Sequence, residues 1–360
     1  MVACEAHHSG SHRRGLWPRL GGCHDSLRRA AALVAVVACV ALAGCGSNSA
    51  SQTASQPAQT GHPVVVASGI PFAANLGFDT HGGLWVISIT GGASSSNGVW
   101  YVPSGGHPRH VLSGLVATAL SWVGNSLLVA EITGQDEGQV TAFEDFNGEG
   151  FSHHHVVLKG LPIGSHTIGS IVEGSDGRLF TGYGSLEDHT GPPGRVLSFT
   201  LSGGAPVLEA TGLRTAFGLA FWGHVLLVSV NGPDELGSLS TPDELQAFEP
   251  GGSVVNFGFP KCYDQGGSAC AGVPTPLATF PAHSSPEGVA VKGDIAFVAN
   301  FGSSFGQGGN NIVRVDLHTR QQSVFWSSPT KNQLVGLAIG PDGDLYATLL
   351  TSGEVVRFAL

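Results

Sequence analysis

From residue 63 onward the chain repeats one pattern, in which short apolar runs alternate with turns that contain glycine. One run is easiest to follow, and it recurs as GGLWVIS (82–88), GNSLLVA (124–130), DGRLFTG (176–182), GHVLLVS (223–229), GDIAFVA (293–299) and DGDLYAT (342–348). Three further apolar runs accompany each copy, so every unit predicts four short strands. A four-stranded sheet cannot bury both faces alone, whereas six sheets stacked around an axis can. The pattern therefore predicts an all-β fold, a six-bladed β-propeller.

The ends of the repeat indicate how the ring closes. An additional run at residues 64–69 precedes the first complete unit, and the last unit ends at its third strand. We therefore expect residues 64–69 to pair with the last blade as its fourth strand. An open β-sandwich does not explain six copies, and a parallel β-helix would need shorter repeats.

One interval of the repeat is longer than the others, since 70 residues separate Leu226 from its counterpart Ala296. The additional residues fall in and just after a loop rich in Gly, Pro and Asp that follows the fourth copy. Insertions in repeat folds map to loops, often on the binding face. This loop is therefore the first place to expect a functional site.

Two cysteines, Cys262 and Cys270, lie in the repeat region near this loop. An even pair of cysteines in an exported protein predicts a disulfide. The alternative is a metal site, which would need more ligands than the adjacent Tyr263 and Asp264 offer.

The first 45 residues have the pattern of an export signal. Arg28 and Arg29 precede an apolar run at 30–44, which is too short for a permanent membrane-spanning helix. The run ends in Leu-Ala-Gly before Cys45 and resembles a bacterial lipobox, which implies cleavage before Cys45 and lipid attachment to its thiol. The alternative is an ordinary signal peptide with a chance cysteine. Residues 46–61 are uncharged and rich in Ser, Gln and Ala, so they are expected to form a disordered tether to a propeller domain at 62–360.

Charge limits the partners of the chain. The net charge is −10 and only 12 % of the residues are charged, with no basic patch in the sequence. A nucleic-acid partner is therefore not expected. The expected location is the extracytoplasmic face of the cell membrane, with the lipid anchor as the contact to the bilayer.

Several segments together resemble the soluble quinoprotein glucose/sorbosone dehydrogenase family. The matching segments are AFEDFNGEGF (142–151), LPIGSHTIGSIVEGSDGRLFTGYGS (161–185), GLRTAFGLAF (212–221), NGPDELGSLSTPDELQAFEPGG (231–252), NFGFPKCYD (256–264) and ATFPAHSSPEGVAV (278–291). The resemblance implies a six-bladed propeller that binds pyrroloquinoline quinone (PQQ) and calcium on one face. It also implies oxidation of a sugar or another polyol, with electrons passed on to an acceptor that the sequence does not identify.

The resemblance also implies roles for single residues. His166 corresponds to the general base that takes the sugar hydroxyl proton while hydride goes to the quinone, a role suited to imidazole. Arg214 corresponds to the arginine that stabilises charge on the quinone, and Thr215 follows it at the cofactor. Gly232 and Pro233 correspond to the residues whose backbone carbonyls bind calcium, a cation that prefers oxygen ligands.

Some positions differ from the pattern of the family. Gln333 and Val335 stand where family members carry two arginines against the quinone's carboxylates. Ser185 stands where an acid orients the base in some members. Asp234 and Glu235 would keep the calcium loop negative.

Two other functions remain open from the sequence. One is a cell-surface binding module that has kept the propeller and lost PQQ. The other is a calcium-dependent, lactonase-like hydrolase in which strand-end oxygens of Glu131, Asn231 and Asn300 converge on a central metal. The dehydrogenase hypothesis instead requires His166 and Arg214 to face each other.

Overall fold

The structure is a computed structural model that describes residues 62–90, 94–233, 241–262, 268–302, 309–331 and 333–360. The predicted signal segment with Cys45, the predicted tether, and the acidic residues Asp234 and Glu235 lie outside the described residues. The described ranges form β-strands and one short 3₁₀ helix, Ser268–Cys270. No helix in these ranges has the length and hydropathy needed to cross a membrane.

The strands follow the order of the predicted repeats. Strand β1 (Val64–Ala67) comes first, and blade one comprises β2 (Ala73–Phe78), β3 (Leu84–Ser88), β4 (Gly98–Val102) and β5 (Arg109–Ser113). Blade two comprises β6 (Val116–Val123), β7 (Ser126–Ile132), β8 (Glu137–Phe146) and β9 (Phe151–Pro162). Blade three contains β10 (Ile168–Glu173), β11 (Leu179–Tyr183), β12 (Gly194–Phe199) and β13 (Val207–Leu213).

The second half of the chain continues in the same way. Blade four contains β14 (Leu219–Trp222), β15 (Val225–Val230) and β16 (Asp243–Phe248), followed by β17 (Val255–Asn256) and β18 (Ala278–Phe280). Blade five comprises β19 (Pro286–Lys292), β20 (Ile295–Asn300), β21 (Asn311–Asp316) and β22 (Gln322–Ser327). Blade six contains β23 (Leu334–Ile339), β24 (Leu345–Leu349) and β25 (Glu354–Phe358).

The six sheets form a closed ring. In each blade the first strand is the inner one, and it contacts the inner strands of both neighbouring blades, from β2 round to β23 and back to β2. The last blade is completed by β1, which pairs antiparallel with β25 through Val64 opposite Arg357 and Val65 opposite Val356. The predicted six-bladed propeller and its closure by the N-terminal run are both confirmed.

Burial explains why the strands read as continuous apolar runs. All five residues of β3 and all five of β24 are buried, because each blade packs a neighbour against both of its faces. Apolar side chains of adjacent blades meet in shared cores; the core between blades two and three contains Leu128, Ile168 and Leu179. The packing of each blade against its neighbours is therefore stabilised mainly by the hydrophobic effect.

Glycines on the inner strands let neighbouring blades come together. A β-carbon at Gly218 would overlap the carbonyl oxygen of Glu287, and one at Gly288 would crowd the carbonyl oxygen of Val335. Glycine has no β-carbon, so these backbones approach closely. The glycines of the Gly-Leu-Ala and Gly-Val-Ala runs thus allow a short distance between neighbouring inner strands.

The long interval in the repeat contributes an additional strand to blade three, although this segment follows three strands of blade four in the sequence. After β16 the chain crosses back to blade three, where β17 pairs parallel with β13 through Ala210 opposite Val255. It then returns to blade four as β18, which pairs with β16. The structure contains the predicted disulfide between Cys262 and Cys270 in this excursion. The sequence located the insertion but did not predict a fifth strand in blade three.

The two ends of the ring differ in their loops. One end of the ring is here named the top face. It is formed by the loops that precede the inner strands and by the loops between the second and third strands of each blade. Both sets lie at one end because successive strands of a blade run antiparallel. His166, Arg214 and Asn231 all belong to this face.

Candidate functional site

His166 lies in the loop between β9 and β10, and blade three fixes its ring. Its Nδ1 is 3.1 Å from the carbonyl oxygen of Ser185 and 3.1 Å from the Ser185 hydroxyl oxygen. The hydroxyl of Ser185 donates its own hydrogen to the carbonyl of Glu187 at 2.7 Å, so both Ser185 groups accept from His166. These partners assign the proton of the neutral imidazole to Nδ1 and leave Nε2 as the basic nitrogen.

Asp188 lies beside Nε2 and joins His166 to Arg214. Its Oδ1 is 3.6 Å from His166 Nε2, and it accepts hydrogen bonds from Arg214 Nη2 and, at 3.1 Å, from Arg214 Nε. Asp188 Oδ2 is 3.0 Å from Nε2 of His189. A carboxylate in this place favours a positive charge on the imidazole once Nε2 has taken a proton. His166 and Arg214 therefore face each other across one shared acid.

Asp188 was not predicted from the sequence. The residue that corresponds to the orienting acid of the family is Ser185, and the structure shows that Ser185 does hold the base, through its carbonyl and hydroxyl. The acid comes three residues later, in the loop between β11 and β12. The short acidic run Glu187-Asp188 after Ser185 was the available signal.

Arg214 follows β13 and is almost fully buried, with 5 % of its surface exposed. Besides its ion pair with Asp188, its Nη1 donates to the backbone carbonyl of Asn231 at 3.3 Å. Thr215, 6 % exposed, accepts the backbone N–H of Asn231 at 2.7 Å through its hydroxyl. Arg214 and Thr215 thus fix the start of the long loop, and a contact of either with a cofactor stays a prediction.

The Gly232-Pro233 turn is held by two side chains of the same blade. The N–H of Gly232 donates to Asp243 Oδ1 at 2.6 Å, and the carbonyl of Pro233 accepts from the Thr241 hydroxyl at 2.9 Å. The turn lines a small pocket together with Arg214, Asn231, Glu244, Phe257, Phe259 and Cys262. Calcium binding by these two carbonyls stays a prediction. Among the described residues, no group of three or more His, Cys, Asp or Glu side chains is placed to hold a metal.

Glu287 lies where blades four and five meet at the top face. The pKa of its carboxyl is raised to about 8, mainly because burial disfavours the charged form. A hydrogen bond from Asn231 lowers this pKa, and the nearby Asp243 carboxylate raises it. The Ser229 hydroxyl donates to the Glu287 carbonyl at 2.7 Å and fixes its backbone. The sequence predicted only an inner strand here.

The oxygens proposed for a central metal do not come together around the axis through any described contact. Glu131 accepts from Thr141 at 2.6 Å and from Gln139 at 2.9 Å, inside blade two. Asn300 donates to Asn311 at 3.0 Å, inside blade five. The dehydrogenase hypothesis required His166 and Arg214 to face each other, and the structure brings both to Asp188.

The pocket has little positive charge for a tricarboxylate such as PQQ. Among the described residues that line it, Arg214 is the only basic side chain, and Asp188 offsets its charge. Lys331 is exposed in the top-face loop before β23, whereas Arg320 lies in the turn between β21 and β22 at the opposite end. Each carboxylate of a bound anion needs charge-assisted hydrogen bonds. The residues present therefore do not fit PQQ.

Comparison with known proteins shows a likeness of fold. No protein-family model matches the chain, and no curated protein matches it. Among solved structures, a carbohydrate-active enzyme of family AA12 from Trichoderma reesei has a TM-score of 0.69 at 17 % identity, covering 85 % of this chain and 100 % of that one. An oxidoreductase of Thermus thermophilus described as a glucose dehydrogenase has a TM-score of 0.67 at 21 % identity, over 83 % and 99 % of the two chains.

A third structure is the holo form of the PQQ domain of pyranose dehydrogenase from Coprinopsis cinerea. It has a TM-score of 0.68 at 15 % identity and covers 85 % of this chain and 98 % of that one. The chain is thus a six-bladed propeller with the fold of the PQQ-dependent sugar dehydrogenases. At these identities the likeness concerns the fold, and the chemistry must be argued from the site.

Proposed function

We propose that the protein oxidises a sugar or another polyol, and that His166 removes the proton of the reacting hydroxyl group. The observation that carries the proposal is the arrangement of His166, Asp188 and Arg214. Nδ1 of His166 is occupied by Ser185, and Nε2 points to the side of Asp188, 3.6 Å away. The nearby carboxylate stabilises the imidazolium that forms when Nε2 accepts the proton. The sugar dehydrogenases named above support the substrate class.

The experiment uses the full-length protein extracted in detergent, with added PQQ and Ca²⁺, and measures dye-linked oxidation of a panel of aldoses. We expect His166→Ala to lower the turnover number by about 10²–10⁴-fold, as for loss of a general base. His153→Ala is the matched control, since His153 is an exposed histidine paired with Asp145 on the outer strand of blade two. Activity that survives His166→Ala would refute the role of His166.

Oxidation also transfers a hydride from the carbon that bears the hydroxyl to a two-electron acceptor, so the substrate loses one proton to His166 and one hydride to that acceptor. In the family that the sequence resembles, PQQ with Ca²⁺ has this role, and the carbonyls of Gly232 and Pro233 would be the metal ligands. The pocket of this chain offers the quinone a single, already paired guanidinium. PQQ therefore enters the proposal as a reagent of the assay, and its binding is measured separately by titration at micromolar concentration.

A second function, a surface module that binds polyols without a quinone, is favoured by the pairing of Arg214 with Asp188. If this function holds, PQQ titration shows no binding, whereas aldose binding persists in calorimetry. Oxidation of an aldose in the presence of PQQ would contradict it.

For location, we propose that the protein is exported and held on the membrane by a lipid on Cys45. The support is the Leu-Ala-Gly-Cys sequence and the uncharged stretch 46–61 after it. We expect Cys45→Ala to move the protein from the membrane fraction to the soluble extracytoplasmic fraction. Retention of the variant in the membrane would contradict lipid anchoring at this residue.

A further inference from the structure

The seam between blades four and five contains buried oxygens without donors. Asn300 is 2 % exposed, and within the described residues its Oδ1 has no hydrogen-bond partner, while its Nδ2 donates to Asn311 Oδ1. The buried Oδ1 of Asn231 likewise has no partner among the described residues. An unpaired buried carbonyl oxygen is destabilising. Both oxygens are acceptors that a cation could bind.

Both amides belong to one small region of backbone. Asn300 is the strand partner of Pro286, the residue before Glu287, and the N–H of Ser285 donates to Asp243 Oδ2 at 2.8 Å. Asn231 reaches the same place from blade four, because its side chain is hydrogen-bonded to Glu287.

Side-chain alternation places Asn300 on the face of blade five that packs against blade four. Val298 lies two residues before it on β20 and belongs to the core that blades four and five share, which also contains Leu245 of β16. Residues two apart on a strand share a face. By the same rule Asp243, two residues before Leu245, faces blade five. The amide of Asn300 and the carboxylate of Asp243 therefore enter the seam from opposite sides.

The seam contains two carboxyl groups. Asp243 is 2 % exposed and Glu287 is half-buried. None of the described ion pairs involves Glu287. Buried carboxylates are normally paired or bind a metal.

We propose that this seam binds a divalent cation, with Ca²⁺ as the ion its chemistry favours, through Glu287, Asp243 and the amide oxygens of Asn231 and Asn300. All four groups present oxygen, and carboxylate and amide carbonyl oxygens are the ligands that Ca²⁺ takes. The set contains no sulfur or imidazole, which disfavours Zn²⁺ and Cu²⁺. The cation would link the end of β15 and the start of β16 in blade four to β19 and β20 in blade five, and it would satisfy both amide oxygens.

This ligand set differs from the Gly232 and Pro233 carbonyls, although Asp243 also accepts the N–H of Gly232. It uses Asn300 and Glu287 of blade five, which neither the Gly232-Pro233 hypothesis nor the lactonase-like one combines. It also requires neither a sugar nor a quinone, so its test does not depend on the proposed oxidation.

The test is calorimetric titration of the full-length, chelator-treated protein with CaCl₂, in the absence of sugar and PQQ. We expect Glu287→Gln and Asn300→Leu each to weaken Ca²⁺ binding by at least tenfold. Glu131→Gln is the matched control, since Glu131 is a buried glutamate at the top end of a second strand in another blade, and its affinity should equal that of the unchanged protein.

Each outcome decides the proposal. Absence of binding at millimolar Ca²⁺ overturns it. Equal binding by Glu287→Gln, Asn300→Leu and the unchanged protein places the ion elsewhere, the Gly232-Pro233 turn included, and overturns it as well. Near-UV circular dichroism checks that both variants are folded, and if one is not, the other carries the test alone.

Discussion

Oδ1 of Asp188 lies 3.6 Å from Nε2 of His166, and the same oxygen is bound by the guanidinium of Arg214. One carboxylate atom thus couples the candidate base to the buried cation of the site. Asp188 is 36 % exposed at its side chain and is the most accessible member of this group. Substitution of Asp188 can therefore test the role of His166 while the imidazole itself is left in place.

Asp188→Asn should lower the turnover number on the best aldose by about 100-fold, because the imidazolium loses its stabilising charge at the moment it forms. The Michaelis constant should change much less. Steady-state kinetics check this split. The control is Asp145→Asn, which removes the exposed partner of His153 and should leave both constants unchanged.

Arg214→Lys should destabilise the fold by roughly 1.5–3 kcal/mol, because an ammonium cannot reproduce the paired bonds to Asp188 and the bond to the Asn231 carbonyl. Urea unfolding followed by fluorescence measures the change. Arg195→Lys is a control at an exposed arginine of the same blade. Unchanged stability of Arg214→Lys would show that the additional guanidinium hydrogen bonds contribute nothing beyond a single positive charge.

The raised pKa of Glu287 predicts how stability changes with pH in calcium-free buffer. In the unfolded chain the carboxyl deprotonates near the ordinary glutamate pKa of 4.5, whereas in the fold its pKa is about 8. Between these values the native state binds more protons, so stability decreases as pH rises from about 5 to 8. Thermal unfolding at several pH values should show this slope, and Glu287→Gln should flatten it. An equal slope in both proteins would assign the effect to other groups.

Replacing Cys262 and Cys270 together by Ala should cost about 2–3 kcal/mol, the loop-closure term for a short loop. The residues Phe257 and Phe259 line the pocket next to Cys262, so substrate affinity should weaken as well. Chemical unfolding and calorimetry measure the two effects. Retained affinity with lowered stability would limit the disulfide to a structural role.

Deleting residues 62–67 should lower the unfolding temperature by about 5–10 °C, because blade six then loses its outer strand and exposes the edge of β25. Differential scanning calorimetry measures the shift. Deleting only His62 and Pro63, which precede β1, is the control and should have little effect. Equal unfolding temperatures for the two deletions would mean that β1 adds nothing to the ring.

The architecture could be read from the sequence because each blade repeats the same apolar runs at the same distances from its turns. The closing strand was predictable for the same reason, since residues 64–69 matched the one strand that the last unit lacks. The fifth strand of blade three could not be predicted. Only Val255 and Asn256 form it, and two residues carry no periodicity.

The site was predicted in part. His166 and Arg214 stood in recognisable segments, and the structure brings them to one carboxylate. Asp188 was missed because a loop residue is placed by tertiary contacts that local sequence does not encode. Glu287 was missed because it begins an apolar strand, and its chemistry arises from Asp243 and Asn231 of another blade.

Strand β1 has a mechanical consequence. The four residues Val64–Ala67 close the ring and are also the first part of the fold that the preceding chain reaches. Any tension transmitted along the expected tether, residues 46–61, would load the β1–β25 ladder before any other contact in the ring. Attachment on the N-terminal side would thus apply force to the strand pair that closes the ring. A pulling force large enough to separate β1 from β25 would open blade six first.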